Sequence, residues 1–167
     1  MIVDAFSTSD NIEAVIEKYQ KMVFGIALSY TCNRVDADDV FQDVFFLYYQ
    51  KNITFNDENH RKAWLINTAV NYSKKIVGST WRKKTKQYDD SREIAYEFLT
   101  DDENMVFSAL SELPQKYRVV LHLFYFQQMT IAEISNALNI KSGTIRVQLL
   151  RGRELIREKL KGDYFYE

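Results

Sequence analysis

Residues 129–161 read MTIAEISNALNIKSGTIRVQLLRGRELIREKLK. Thr130 stands three residues before Glu133, the spacing of a capping box. In that motif the hydroxyl takes one orphan N–H and the carboxylate reaches back to another. The pattern predicts a short helix with Ile131, Ile134 and Leu138 on one face. Asn139 and Lys141 then give a brief polar break around the apolar Ile140. Ser142 is placed to cap a second helix running through Thr144, Arg146, Gln148 and Arg151. Two short helices, a tight turn and a basic second helix form a helix-turn-helix signature.

The second helix divides by phase. At about 100° per residue, Ile145, Leu149, Gly152 and Ile156 share one face, which is the core side. Thr144, Val147, Leu150 and Arg151 point roughly the other way, flanked by Arg146 and Gln148. Between Lys141 and Lys161 there are seven basic residues against two acids. A plain amphipathic helix with a solvated basic face also fits that count. The cap, the turn and the outward side chains together favour duplex DNA.

The rest of the chain sets the class. Of its 167 residues, 46% are apolar and 14% aromatic, enough for one domain or two small ones. Five Gly and one Pro argue against a turn-rich β architecture. The expectation is an all-α protein of two small helical domains joined by a flexible linker, the second containing the helix-turn-helix. No leader or long apolar span is visible, so the chain is read as cytoplasmic. The single Cys32 cannot form an internal disulfide.

A net charge of −1 at first argues against a nucleic-acid binder. Its distribution reverses that impression. Residues 1–60 carry −6, 61–88 carry +8 with no acid at all, 89–104 carry −6 and 105–167 carry +3. Phosphate affinity follows local charge within about a Debye length, not the total.

In chain order, residues from about Asp10 to Tyr30 read as a first, scaffolding helix, with Asp10 and Glu13 as its capping pair. Asp36–Gln50 is a second helix, acidic at its start, with more apolar surface than one buried face needs. That surplus fits either a well-buried helix or a partner surface of apolar anchors and acidic rim. Ile53–His60 is a polar loop. A third helix follows from about Arg61 to Val77. Its bases are interleaved with Trp64, Tyr72 and Trp81, a mixture suited to single-stranded nucleic acid, where bases stack on rings. A core Trp64 beside a solvated basic helix end fits equally. The domain division is set at 1–88, an acidic linker 89–104, and 105–167, where Met105–Leu110 opens the second domain and Pro114 suits the first turn of the next helix.

These motifs together resemble the bacterial sigma factors of the extracytoplasmic-function (ECF) group, the minimal members of the sigma-70 superfamily. Asp36-Ala-Asp-Asp-Val-Phe-Gln-Asp-Val-Phe45 is similar to the family's region 2.2 helix. Lys62-Ala-Trp-Leu65 with Ala69-Val-Asn71 is similar to regions 2.3–2.4. Leu113-Pro114 through Leu121, then Met129–Leu160, resembles region 4. The resemblance implies a non-enzymatic protein without cofactor, metal or small-molecule substrate. Its implied partners are core RNA polymerase, through the β′ clamp coiled coil and the β flap, promoter DNA, and an anti-sigma factor. Asp39, Gln42, Asp43 and Phe45 would meet the clamp. Phe55, Asn71, Lys62, Lys74 and Lys75 would serve the −10 element, with Phe55 and Asn71 contacting a base of the non-template strand. Ser142, Thr144, Arg146, Val147, Gln148, Leu150, Arg151 and Arg153 would read the −35 element. The acidic linker would lie in polymerase channels that later hold RNA.

One departure bears on specificity. Where the family commonly has Lys or Arg, then Ser, Arg, Leu, His and Arg, this chain has Arg146, Val147, Gln148, Leu149, Leu150 and Arg151. Gln suits adenine where Arg prefers guanine, and Val147 and Leu150 suit thymine methyls. A −35 preference less G-rich than the family's usual GAAC core is expected. The competing reading is a stand-alone helix-turn-helix regulator that binds duplex DNA, as a dimer, without replacing a sigma factor. An enzyme is disfavoured, since His60, His122 and Cys32 show no ligand or triad spacing and no Gly-rich phosphate loop exists.

Overall fold

In the computed structural model, residues 11–79 and 100–165 are described, with side chains through Lys161. Asp10, Trp81, the bases at 82–86, and residues 89–99 of the acidic linker lie outside the described residues. Seven α-helices are present among them: α1 (Ile12–Thr31), α2 (Arg34–Lys51), α3 (Glu58–Gly78), α4 (Asp101–Ser111), α5 (Gln115–Tyr125), α6 (Ile131–Leu138) and α7 (Ser142–Phe165). They form two compact units, α1–α3 and α4–α7.

In the first unit each of the three helices packs on the other two. Val23, Ile26 and Ala27 of α1, Val40, Val44 and Tyr48 of α2, and Leu65, Ala69 and Val70 of α3 are fully enclosed. Each such Val, Leu or Ile contributes about 1.5–3 kcal/mol by leaving water.

Local signals start each helix. Asn11 caps α1, accepting from the Ala14 N–H, so the cap falls one residue after the Asp10 expected from sequence. Asn33 caps α2, taking the Asp36 N–H at 2.9 Å, and Asp57 caps α3, taking the His60 N–H at 2.7 Å. The third helix therefore begins at Glu58 and not Arg61, and the loop is correspondingly shorter. That start also locks α3 to α1. Tyr19 donates to the Glu58 carboxylate at 2.6 Å, Lys18 lies 3.4 Å away, and the buried Arg61 pairs with the same carboxylate. Burial alone would raise the Glu58 pKa, but the Tyr19 hydrogen bond and the charges of Arg61 and Lys18 outweigh it and hold the carboxyl below its usual range.

The second unit starts earlier than its sequence suggested. Helix α4 begins at Asp101, inside the stretch read as linker. Thr100 takes the Glu103 N–H at 3.2 Å and Glu103 takes the Thr100 N–H at 2.8 Å, a complete capping box. Asp101, Asp102 and Glu103 read as linker charge, but at a helix N-terminus they complement the macrodipole. Pro114 caps α5 without a side-chain hydrogen bond, and the buried Arg118 ties that helix to the preceding turn through the Leu113 carbonyl at 2.9 Å. Leu123 of α5, Ile134 of α6 and Ile145 of α7 are fully enclosed at the centre of the unit.

Gly152 lets α7 lie close on α5. A Cβ there would stand 2.8 Å from Leu121 Cδ1 and 3.4 Å from Tyr117 Cβ. His122 is buried between Phe107 and Phe126, stacked on the latter at 5.1 Å. Burial pushes its pKa down to about 3, so the ring is neutral.

Candidate nucleic-acid interface

The helix-turn-helix is built from α6, its turn and the first half of α7. Thr130 caps α6 by accepting the Glu133 N–H at 3.1 Å, while its hydroxyl donates to the Glu133 carboxylate at 3.0 Å. The carboxylate thus meets the hydroxyl and not the Thr130 backbone N–H, so the reciprocal half of the expected capping box is replaced. Asn139 ends α6 in the left-handed conformation at φ 56°, which Asn tolerates better than most residues. Ser135 then ties the turn by donating to the Ile140 carbonyl at 2.5 Å.

In α7 the phase argument holds for the core side. Ile145, Leu149 and Gly152 are buried and Ile156 is half-buried. Thr144, Arg146, Val147, Leu150 and Arg151 are exposed, and the two aliphatic side chains among them show 48% and 56% of their surface. Apolar groups of that size on a polar helix face are suited to contact thymine methyls.

Three expected −35 residues need correction. Ser142 is the first helical residue, and the Lys141 carbonyl accepts the first bond, from the Ile145 N–H at 3.1 Å, so Ser142 does not occupy the cap position. Gln148 is half-buried with its amide oxygen enclosed and without a hydrogen-bond partner among the described residues. It must turn outward to reach a base edge. Arg153 donates through Nε to the Tyr125 hydroxyl at 2.6 Å, with its guanidinium 5.5 Å from the Phe124 ring centre. Its head is held against α5.

Arg153 also lines an apolar groove of about 520 Å³ within the second unit. Val106 and Leu110 of α4, Leu121 of α5, and Ile156 and Leu160 of α7 form its walls, and Arg157 and Lys161 join Arg153 on its rim.

The first unit offers two further surfaces. On α3, Asn71, Lys74 and Lys75 are exposed within one turn, and the exposed Asn67 continues the stripe at i−4. Lys62 lies about half a helical turn round from Asn71 at 100° per residue, so it does not join them. Phe55, expected to contact a base, is 2% exposed. It is stacked on Tyr48, edge-on to Trp64, and lies under the Arg61 guanidinium. The loop is short, and its one aromatic ring is the anchor that pins it to the core.

On α2, Gln42 and Asp43 are exposed and Asp39 is half-buried. Phe45, assigned to the same face, is buried against Phe41 at 4.9 Å. Phe46, next in sequence, is 62% exposed and lies one turn from Gln42 and Asp43, and Tyr49 is 64% exposed. In a run of aromatics the sequence offers little to say which ring faces in; packing decides it. Among the described residues no His, Cys, Asp or Glu cluster is disposed to hold a metal ion, and no helix is long and apolar enough to cross a membrane.

Residues 15–87 match the family model Sigma-70 region 2, and residues 103–156 match Sigma-70, region 4. The chain belongs to the ECF group of the sigma-70 family. Region 2 so placed covers most of α1 and all of α2 and α3. Region 4 runs from α4 to the middle of α7 and includes the whole helix-turn-helix. Among curated relatives, the ECF RNA polymerase sigma factor SigW of Bacillus subtilis is 25% identical over 91% of this chain and 90% of its own length. SigM of the same organism is 26% identical over 87% and 93%. The sigma-E factor of Haemophilus influenzae is 24% identical over 88% and 86%. Two solved structures share the fold at 19% identity. One is the sigma factor RpoE in complex with the anti-sigma factor NepR from Bartonella quintana, with a TM-score of 0.69 over 89% of this chain and 96% of that one. The other is CnrH in complex with the cytosolic domain of CnrY, with a TM-score of 0.64 over 93% of each chain.

Proposed function

We propose that this sigma factor binds core RNA polymerase, recognises −10 and −35 promoter elements and initiates transcription of a specific regulon. It acts in the cytoplasm and catalyses no reaction of its own. The observation that carries the reading is that each compact unit turns its own recognition surface outward. In the first, α2 presents Gln42, Asp43 and Phe46, and α3 presents Asn71, Lys74 and Lys75. In the second, α7 presents Thr144, Arg146, Val147, Leu150 and Arg151. A stand-alone regulator needs only the last of these.

In this reading α2 docks on the β′ clamp, and α3 works at the −10 element, with Asn71 at a base of the non-template strand. The α7 face enters the major groove of the −35 element. The groove rimmed by Arg153, Arg157 and Lys161 serves the β flap. An anti-sigma factor restrains the protein by covering these surfaces.

Run-off transcription with core enzyme on a promoter library tests the reading. The protein should direct discrete starts that depend on both elements, and core enzyme alone should not. Tight duplex binding by the purified protein as a dimer, with no effect on core-driven initiation, would favour the stand-alone regulator instead.

A further inference from the structure

We propose that His60 is a positioning residue for promoter opening: its neutral ring latches the loop between α2 and α3, and releases it on taking up a proton. The proposal rests on the −10 role given above to α3 and adds to it a loop held in a proton-sensitive way.

The arrangement begins at the cap of α3. Asp57 is the N-cap and takes the His60 N–H at 2.7 Å. His60, three residues on, reaches back, and its Nδ1 accepts the Asn56 N–H at 3.1 Å. This is the reciprocal logic of a capping box, in which Glu or Gln ordinarily makes the return bond. Here an imidazole makes it, to the residue before the cap. The same ring stands edge-on to Phe55, with centroids 5.2 Å apart and planes at 81°. Phe55 is buried, so the loop is held twice, by the Phe55 ring in the core and by the Asn56 backbone at His60. Thr54 and Asn56, on either side of that anchor, are exposed.

His60 also sets the loop on the working face of α3. His60, Ala63, Asn67 and Asn71 are all exposed and recur at spacings of three, four and four, which is one face of a helix. The latched loop and Asn71 therefore mark the two ends of one exposed strip, about 16 Å long at 1.5 Å per residue. A strand engaged by Asn71 and continuing along the strip meets Asn56, whose amide offers both a donor and an acceptor to a base edge.

The chemistry makes the latch conditional. An N–H can donate to Nδ1 only while that nitrogen keeps its lone pair, which puts the ring proton on Nε2. A second proton goes onto Nδ1, turns the acceptor into a donor and sets two N–H groups against each other. Glu or Gln at this position would keep an acceptor oxygen throughout, whereas an imidazole is the side chain that changes over between about pH 8 and 5. The charged and titratable groups gathered at the start of α3 are Asp57, Glu58 and Arg61, with Lys18 and Tyr19 of α1 on Glu58 and Tyr48 of α2 on Phe55. Asp57 is engaged by the His60 N–H, and Glu58 by Tyr19, Lys18 and Arg61, so the Asn56 N–H is left to the imidazole.

Holoenzyme reconstituted with core polymerase tests the latch on a promoter selected from a library, with strand opening read by permanganate reactivity from about pH 8 to 5.5. His60→Ala should open the promoter about fivefold less well at pH 8, the loss of one hydrogen bond. His60→Gln supplies a carboxamide oxygen and should restore wild-type opening at pH 8. On acidification the wild type should fall about fivefold below His60→Gln, while His60→Ala stays parallel to it. Core polymerase binding should be equal in all three. The chain has two histidines, so the ring nitrogens of His60 can be assigned by NMR in the free protein, where the proton should sit on Nε2.

A proton on Nδ1 of the neutral ring would overturn the latch. So would unaltered opening in His60→Ala, a His60→Gln no better than His60→Ala, or parallel pH profiles for wild type and His60→Gln. Each of these leaves the sigma reading standing, whereas a wild-type holoenzyme that opens no promoter at any pH would overturn both.

Discussion

The ring of Phe55 lies 6.0 Å from that of Tyr48 and within 11° of parallel, so the loop between α2 and α3 is fastened to the core of the first unit by one aromatic side chain. Stacked rings of this kind add to what burial alone contributes. Phe55→Ala should therefore destabilise the first unit by about 3–5 kcal/mol. Trp64, 6.1 Å away, reports the change in its fluorescence during urea unfolding. An unaltered midpoint in that variant, with a defect only in promoter melting, would return Phe55 to the role of a base contact.

Phe45 and Phe46 should part company. Phe45→Ala removes a buried ring and should destabilise the unit by about 3–5 kcal/mol. Phe46→Ala removes an exposed one and should leave unfolding alone while weakening core polymerase binding by tenfold or more, roughly what an aromatic anchor supplies. Unfolding and core-binding titrations on the two variants check the assignment; equal effects on both quantities would refute it.

Leu150 is 56% exposed on the face of α7 that carries Thr144 and Val147. If it packs on a thymine methyl, replacing thymine by deoxyuridine in the −35 element should weaken holoenzyme binding about fivefold, on the order of 1 kcal/mol. Leu150→Ala should cause the same loss and abolish the thymine–uracil difference. A difference that persists in Leu150→Ala assigns the methyl elsewhere. Gln148→Arg should shift the preference toward guanine only if its side chain leaves the enclosed position it occupies here.

His122 gives the second unit a pH dependence whose sign is determined by its burial. The folded pKa is about 3, while the unfolded ring titrates near 6.5. Above pH 6.5 neither state binds the proton and His122 contributes no slope. Below it the unfolded chain binds a proton that the folded one refuses, so stability falls as pH falls. The loss is about 1.4 kcal/mol per unit until the folded pKa is reached. Between pH 6.5 and 5 the wild type should lose about 2 kcal/mol more than His122→Leu, measured by hydrogen exchange of α5 amides. Parallel profiles for the two proteins would show that the ring is accessible to protons.

The local start of each helix follows from short-range chemistry. Asn33, Asp57, Thr100 and Thr130 each hold a backbone N–H within the next turn, so proximity in sequence was sufficient to place Thr130 and would have been sufficient for Thr100. Phase at 3.6 residues per turn placed Ile145, Leu149 and Gly152 inward because α7 has one clear apolar stripe. Where α2 runs through consecutive aromatics, phase alone could not choose between Phe45 and Phe46.

From sequence alone came the all-helical class, the helix-turn-helix, the segregated charge and the family resemblance, since all of these rest on residue type and local spacing. Tertiary structure alone decided that Phe55 is an anchor, that Arg153 is held by Tyr125, that Gln148 is tucked in, and that Gly152 lies against Leu121. Those outcomes depend on which side chains from distant positions compete for the same space, and the gap left by Gly152 matters only once α5 lies against it.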